Sequence, residues 1–510
     1  PLGEEIIPPA EEPATGDEEP AIIIPPSFIS VNATETIEIL SLEEASTSLS
    51  QLLEQEFATD TFTRILIKDS EENKILGLKE FFEAFEVKTP EGFLERLNND
   101  FTLFIYSNKG VNRLGFVTKV EEKENLVNSL LSWETTMEKD TEKLFEVLGK
   151  EGPALSSRFR TSFYQEVGFK FLTISREDFG ICYAWSDINS EGIKVLPKAG
   201  SYLIFATSFE SIKKTIDLIK TKELENQIGQ LFIIGFEGKS LTPELEEVLK
   251  KYRPGGVLLL SRNIESKEQL KNLISDLQNL SLRETGLPLF IAVDQEGGEI
   301  TRIGFLEEKT PQSEIENIDQ AYQIGLKRGE ELKELGVNLN LAPVLDITNE
   351  GDFLFNRSFQ KPISETGELA KALILGQKEA GILTAIKHFP SYGGISFHPE
   401  EELAVLEKLP EISQFKKAME ANPEFVMTAN VIYQEIDSTL PFTFSRTGIQ
   451  FLKTNLGNQV LIISDDLDQN SLLENFSLKD IMTKPTEAGV DILIFSGYRL
   501  PIEQGLDEFL

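Results

Sequence analysis

The chain of 510 residues has little cysteine, histidine or tryptophan: one Cys, two His and two Trp. With Cys182 alone, no intrachain disulfide can form and a Cys-rich metal site is excluded. That fits a reducing compartment, and equally a surface protein of an organism that does not use disulfides. Positive charge is also scarce. Against 85 Asp and Glu stand 49 Lys and Arg, a net charge of -36, and no basic residue precedes Arg64. Such a balance repels nucleic acid and anionic membrane surfaces, so neither is expected as a partner. Cationic partners, divalent ions or plain solubility are compatible, solubility being the simplest. No apolar run approaches the roughly 20 residues that span a bilayer, and no secretory-signal pattern is present. Position 1 is Pro rather than Met; an upstream segment is expected, and membrane association only through an anchor there.

What the chain does have changes along its length. Residues 1–30 carry seven prolines and many glutamates, the composition of an extended, charged linker. Its Ile6–Ile7 and Ile22–Ile24 islands are either sticky spots or strands able to dock on a sheet edge or another subunit. Residues 31–221 alternate short β-type runs with amphipathic helices, which predicts an α+β domain with an antiparallel sheet. Its strand-strand-helix pieces FTLFIYS…LGFVTKV and FGICYAW…YLIFATS hint at internal duplication. The aromatic-rich strands Phe101–Tyr106 and Phe163–Phe171 are expected in the core, and the domain reads as a scaffold or interaction module.

From residue 222 to 510 the pattern becomes strand-helix repetitive. Eight apolar strands are predicted: Leu231–Phe236, Gly256–Leu260, Leu287–Asp294, Leu339–Asp346, Gly381–His388, Phe425–Asn430, Val460–Asp465 and Val490–Ser496. Separated by amphipathic helices, they imply a closed (β/α)8 barrel. After the eighth strand only the beginning of a closing helix remains in Gly497–Leu510, so imperfect closure is one expectation and a longer chain the other.

Polar residues gather at the strand ends, where such barrels carry their sites. Both histidines, His388 and His398, lie in KHFPSYGGISFHPEE, which follows the strand Gly381–Ile386. Asp465 ends a buried strand and is placed to attack an anomeric carbon, although a turn or cap role fits as well; Asp466 beside it could cap the next helix. Asp294, Arg302, Arg357, Lys387 and His388 are types that bind hydroxyl and carboxylate groups, or that form a rim ion-pair network. The run Glu400–Glu402 reads as a solvated helix start more simply than as a cation site.

Together, IGQLFIIGFEG (228–238), GGVLLLSRNI (255–264), PLFIAVDQEGG (288–298), LGVNLNLAPVLDI (335–347), NRSF (356–359), KHFP (387–390), VMTAN (426–430) and SDDL (464–467) resemble the bacterial β-N-acetylglucosaminidases of glycoside hydrolase family 3. The resemblance covers about residues 224–510. It implies the (β/α)8 barrel, retaining chemistry on N-acetylglucosamine of peptidoglycan or chitin-type sugars, and neither metal nor cofactor. It places the nucleophile on Asp465, a sugar-binding aspartate on Asp294, a binding arginine on Arg357 and the Lys-His pair on Lys387 and His388. The chain departs from the family at Glu299, where an arginine is usual, and at Asn430, where a histidine is usual. The family loop after Lys-His-Phe-Pro reads Gly-His-Gly-Asp and then an Asp-Ser-His acid/base dyad; here Ser391-Tyr392-Gly393-Gly394 is followed by His398-Pro399-Glu400. Aligned without gaps, His398 takes the aspartate's place and Glu400 the histidine's.

Two functions follow. The first is a surface-tethered protein whose barrel has lost catalysis and is reused to bind an N-acetylglucosamine-containing glycan or to assemble. The second is an active retaining enzyme with His398 and Glu400 as a rewired acid/base. A self-assembling filament or lattice subunit, a homo-oligomer joined through the Ile islands, is a further alternative. The expected location is the cell surface or outside the cell, with the cytoplasm as the alternative.

Overall fold

The computed structural model describes residues 22, 24–187 and 201–509. The linker before residue 22, with its Ile6–Ile7 island, and Ile23 lie outside them. Among the described residues the chain forms two compact units, the first running to Lys222 and the second from Glu223.

The first unit is built on a nine-stranded sheet. Its strands run Ala33–Ile39, Thr61–Asp69, Leu97–Asn108, Val111–Val120, Ser201–Ala206, Phe179–Asp187, Val167–Ser175 and Arg160–Tyr164, with Lys74–Ile75 added beside Thr61–Asp69. Every pairing is antiparallel except the first, Ala33–Ile39 on Thr61–Asp69. The sheet is therefore mixed, a correction to the purely antiparallel expectation. The helix Glu44–Leu53 supplies the crossover that a parallel pair requires. The edge strand escapes a hydrophobicity reading because only Ile37 and Ile39 of ATETIEI are buried.

One face of the sheet packs under the helices between residues 44 and 147, through Phe81, Phe82, Phe116, Phe145 and Trp133. The other face takes Ile212, Ile216 and Ile219 of the helix Phe209–Gly229. Phe101–Tyr106 is buried as expected, but Phe163 is 72% exposed on an edge strand and belongs to no core.

All eight predicted barrel strands form in sequence order and close: Phe232–Ile234, Gly256–Leu259, Phe290–Val293, Leu339–Asn340, Leu383–Phe389, Phe425–Thr428, Leu461–Asp466 and Ile492–Phe495. The last strand pairs with the first in parallel register, so closure is complete. The strands read as continuous apolar runs because both their faces are buried. Ile233, Leu258, Ala292, Leu339, Ala385, Met427 and Ile463 fill the cylinder. Their neighbours Ile234, Val257, Val293, Ile386, Val426 and Ile462 face outward under the helices.

Local sequence sets the helix limits. Thr242, Ser266, Asn317, Ser445 and Ser477 each accept a hydrogen bond from a backbone N–H of the first turn. Gly286, Gly336, Gly381 and Gly489 close four helices in the left-handed conformation. The parallel order of the strands brings their C-terminal ends to one rim.

Candidate active site

A strand alternates its side chains, so the register that turns Ala385 into the cylinder turns Lys387 inward as well. The Lys387 side chain is 2% exposed, and its ammonium lies 2.6 Å from Asp294 Oδ1 and 2.6 Å from Glu296 Oε1. Arg357, on the short turn Phe355–Arg357, forks onto Glu296, with Nε 3.0 Å from Oε2 and Nη2 2.7 Å from Oε1. Arg302 Nε stands 4.0 Å from Asp294 Oδ2. Three cations thus face two carboxylates. Burial opposes the charge on both carboxylates. Lys387 and Arg302 outweigh it at Asp294, and Arg357 and Lys387 at Glu296, holding both carboxyls below the usual range. Burial likewise opposes the charge on Lys387, yet Asp294 and Glu296 raise its pKa.

Glu296 is fixed from behind. The fully buried Arg328 of helix Ile318–Leu335 donates from Nη1 to the Glu296 carbonyl at 2.7 Å and from Nη2 to Glu308 at 3.1 Å. Gly297 follows with φ +89, and a Cβ there would meet the Thr310 carbonyl at 2.1 Å; only glycine allows this approach.

A second cluster centres on Asp346, at the end of the LAPVLD segment that follows the strand Leu339–Asn340. Its Oδ2 accepts the His388 backbone N–H at 3.0 Å and lies 2.9 Å from Nδ1 of the ring. Its Oδ1 accepts the Ser391 hydroxyl at 3.1 Å and the Tyr392 backbone N–H at 2.5 Å. Burial opposes its charge, but His388 and these donors hold the carboxyl below its ordinary value. A carboxylate on Nδ1 fixes His388 with that nitrogen as donor and leaves Nε2 for the cleft.

Asp465 closes the arrangement. Its Oδ2 accepts the Tyr392 hydroxyl at 2.7 Å, and its Oδ1 accepts the Asp466 backbone N–H at 2.7 Å. Asp466 caps no helix: its Oδ1 accepts the N–H groups of Asp468 and Ser496, each at 3.0 Å. Burial pushes its carboxyl up to about 7.

The loop beyond KHFP carries the departures. His398 is exposed, with its ring 4.3 Å from that of Phe353. Glu400 is partly buried in the same cleft; burial and then the charge of Asp465 raise its carboxyl pKa, against the pull of His398 and Arg499. Arg499 pins the loop, with Nη2 2.6 Å from Glu401 Oε1 and 3.8 Å from Glu400 Oε2. Asn470 donates to Glu401 at 2.5 Å and the Ser471 N–H to the Glu400 carbonyl at 2.9 Å. Asn430 is structural: its amide donates to the Asp466 carbonyl and to Gln469, and its Oδ1 accepts the Thr443 hydroxyl. Glu299 accepts from Asn356 at 2.9 Å.

Asp294, Arg302, Arg357, Lys387, His388, His398, Glu400 and Asp465 therefore all line one cleft of about 630 Å³. Sequence reasoning missed Glu296, Asp346 and Tyr392. Asp346 ends an apolar strand run as Asp294 does, and that signal would have found it. Nothing in the sequence marks Glu296 or Tyr392 as inward-facing. Among the described residues no group of three or more His, Cys, Asp or Glu is arranged to hold a metal ion. The cleft offers a cationic, donor-rich end beside a carboxylate that two hydrogen bonds aim, with the Glu400 carboxyl lining the same cleft.

Residues 223–509 match the glycosyl hydrolase family 3 N terminal domain. A beta-hexosaminidase of Hydrogenovibrio crunogenus is 31% identical over 294 residues, covering 53% of this chain and 81% of its own. Beta-hexosaminidase A of Pseudoalteromonas piscicida is 30% identical over 290 residues, covering 50% of this chain and 48% of its own. Among solved structures, a glycoside hydrolase family 3 beta-N-acetylglucosaminidase from Paenibacillus superposes with a TM-score of 0.53 at 26% identity over 56% of each chain. The strand order and these matches agree: the chain belongs to glycoside hydrolase family 3.

Proposed function

We propose that the barrel binds a β-linked N-acetylglucosaminide in the cleft and hydrolyses it with retention, Asp465 acting as nucleophile and Glu400 as acid/base. The observation that carries this reading is the pair of carboxyl groups in one cleft with opposite roles set by their surroundings. Asp465 accepts two hydrogen bonds, while burial and then the charge of Asp465 raise the Glu400 carboxyl pKa. An Asp465 oxygen forms the bond to the anomeric carbon as the glycosidic C–O bond breaks, and Glu400 gives its proton to the departing oxygen. Water then attacks the glycosyl-enzyme, giving its proton to Glu400 and releasing Asp465. Asp294, Lys387, Arg357 and His388 hold the sugar hydroxyls, which fits a neutral polar ligand better than the net charge of the chain alone would suggest.

The test is turnover of aryl N-acetyl-β-glucosaminides. Asp465→Asn should abolish it, and Glu400→Gln should slow a poor leaving group by on the order of 100- to 10,000-fold while sparing a nitrophenolate. Unchanged rates in Glu400→Gln sink the assignment. The exposed His398, set against the Phe353 ring rather than ion-paired with a carboxylate, favours a second reading in which the cleft binds the glycan without cleaving it. Calorimetric binding of an N-acetylglucosamine oligosaccharide with no product formed would establish that alternative. A surface location goes with either reading, supported by the Pro/Glu-rich first 30 residues, and protease accessibility on intact cells tests it.

A further inference from the structure

We infer that Tyr392 is the positioning residue of the nucleophile: its hydroxyl, locked in one hydrogen-bond direction, aims Asp465. This rests on the hydrolytic reading above. Tyr392 is 3% exposed, and its hydroxyl sits between two partners, the Asn430 backbone N–H at 2.8 Å and Asp465 Oδ2 at 2.7 Å. A backbone N–H can only donate, so the tyrosine oxygen accepts there. Its own proton is then committed to Asp465.

Among the described residues no other side chain does this work. Lys387 is spent on Asp294 and Glu296, and Arg357 on Glu296. Among the described residues no cation lies within ion-pair distance of Asp465, and Tyr392 is the only side chain that hydrogen-bonds to it. The tyrosine is itself held at both ends: its N–H reaches Asp346, and its ring meets the His388 ring edge to face at 4.9 Å between centroids. Through it the Asp346–His388 cluster and the nucleophile become one rigid unit. With Tyr392 on Oδ2 and the Asp466 N–H on Oδ1, each oxygen keeps a lone pair free, and the carboxylate cannot rotate while the bond to the anomeric carbon forms.

Tyr392→Phe deletes the hydroxyl, keeps the ring and the Tyr392 N–H on Asp346, and leaves the buried Asn430 N–H without its acceptor. It is expected to lower kcat roughly 10- to 100-fold, the effect of one hydrogen bond to a charged group, with KM held within about threefold. The glycosyl-enzyme from an activated fluoro-sugar should accumulate more slowly by the same factor in intact-mass spectrometry. Tyr392→Leu, which also removes the ring, should change kcat, KM and thermal stability together. A Tyr392→Phe protein with parental kcat, or one losing kcat only in step with KM and melting temperature, overturns the inference while leaving the hydrolytic reading intact. Absence of turnover by the parent chain overturns the hydrolytic reading itself, and this inference with it.

Discussion

The charged residues of the cleft pull stability in opposite directions as pH changes. Asp294, Glu296 and Asp346 have folded pKa values below their ordinary 3.8, 4.5 and 3.8. The stability they contribute is complete above those ordinary values and is lost as pH falls through the depressed ones. Asp466 does the reverse. Its folded pKa, about 7 against 3.8, means that the folded chain holds a proton the unfolded chain gives up, so its contribution declines as pH rises from about 4 through 7. Asp466→Asn keeps an oxygen for the Asp468 and Ser496 N–H groups and cannot ionise. Urea unfolding should therefore show the variant gaining stability over the parent between pH 4 and pH 8, and a pH-independent difference would contradict this assignment.

At the scale of elements, the strands of the barrel were readable because a strand buried on both faces is an unbroken apolar run bounded by capping residues. The edge strand Ala33–Ile39 was not, since alternation with only two buried positions looks like a polar loop. The site divides in the same way. Asp465, Asp294, Lys387 and His388 stand at strand ends and announce themselves. Glu296 and Tyr392 lie past the strand ends, and their inward aim is set by turns whose geometry no periodicity records. Gly393 shows how tight such a turn is: a Cβ there would meet the Ile347 carbonyl at 2.1 Å. Gly393→Ala should cost about 1–3 kcal/mol and shift the adjoining Tyr392, so thermal stability and kcat should both drop. A variant with parental values for both would show that the turn has room to move.

For the whole molecule, a net charge of -36 leaves strong self-repulsion in the compact state. Raising the ionic strength from about 0.01 M to about 0.15 M shortens the screening length from about 30 Å to about 8 Å, and the melting temperature should rise by several degrees. A fall on adding salt would mean that the ion pairs outweigh the repulsion. The cylinder also has a property that its linear order hides. Phe509 meets the ring of Phe232 edge to face at 5.0 Å, and Asp507 accepts from Tyr252 at 2.6 Å and lies 2.9 Å from Lys251. The first strand and the helix Ile502–Phe509 are next-door neighbours, so the eight-strand ring has no natural seam. A circular permutant that splices the stretch after Phe509 onto the approach to Phe232, and is cut open at the exposed Gly286 turn far from the cleft, would read the same eight strands from a different starting point and keep the same cup.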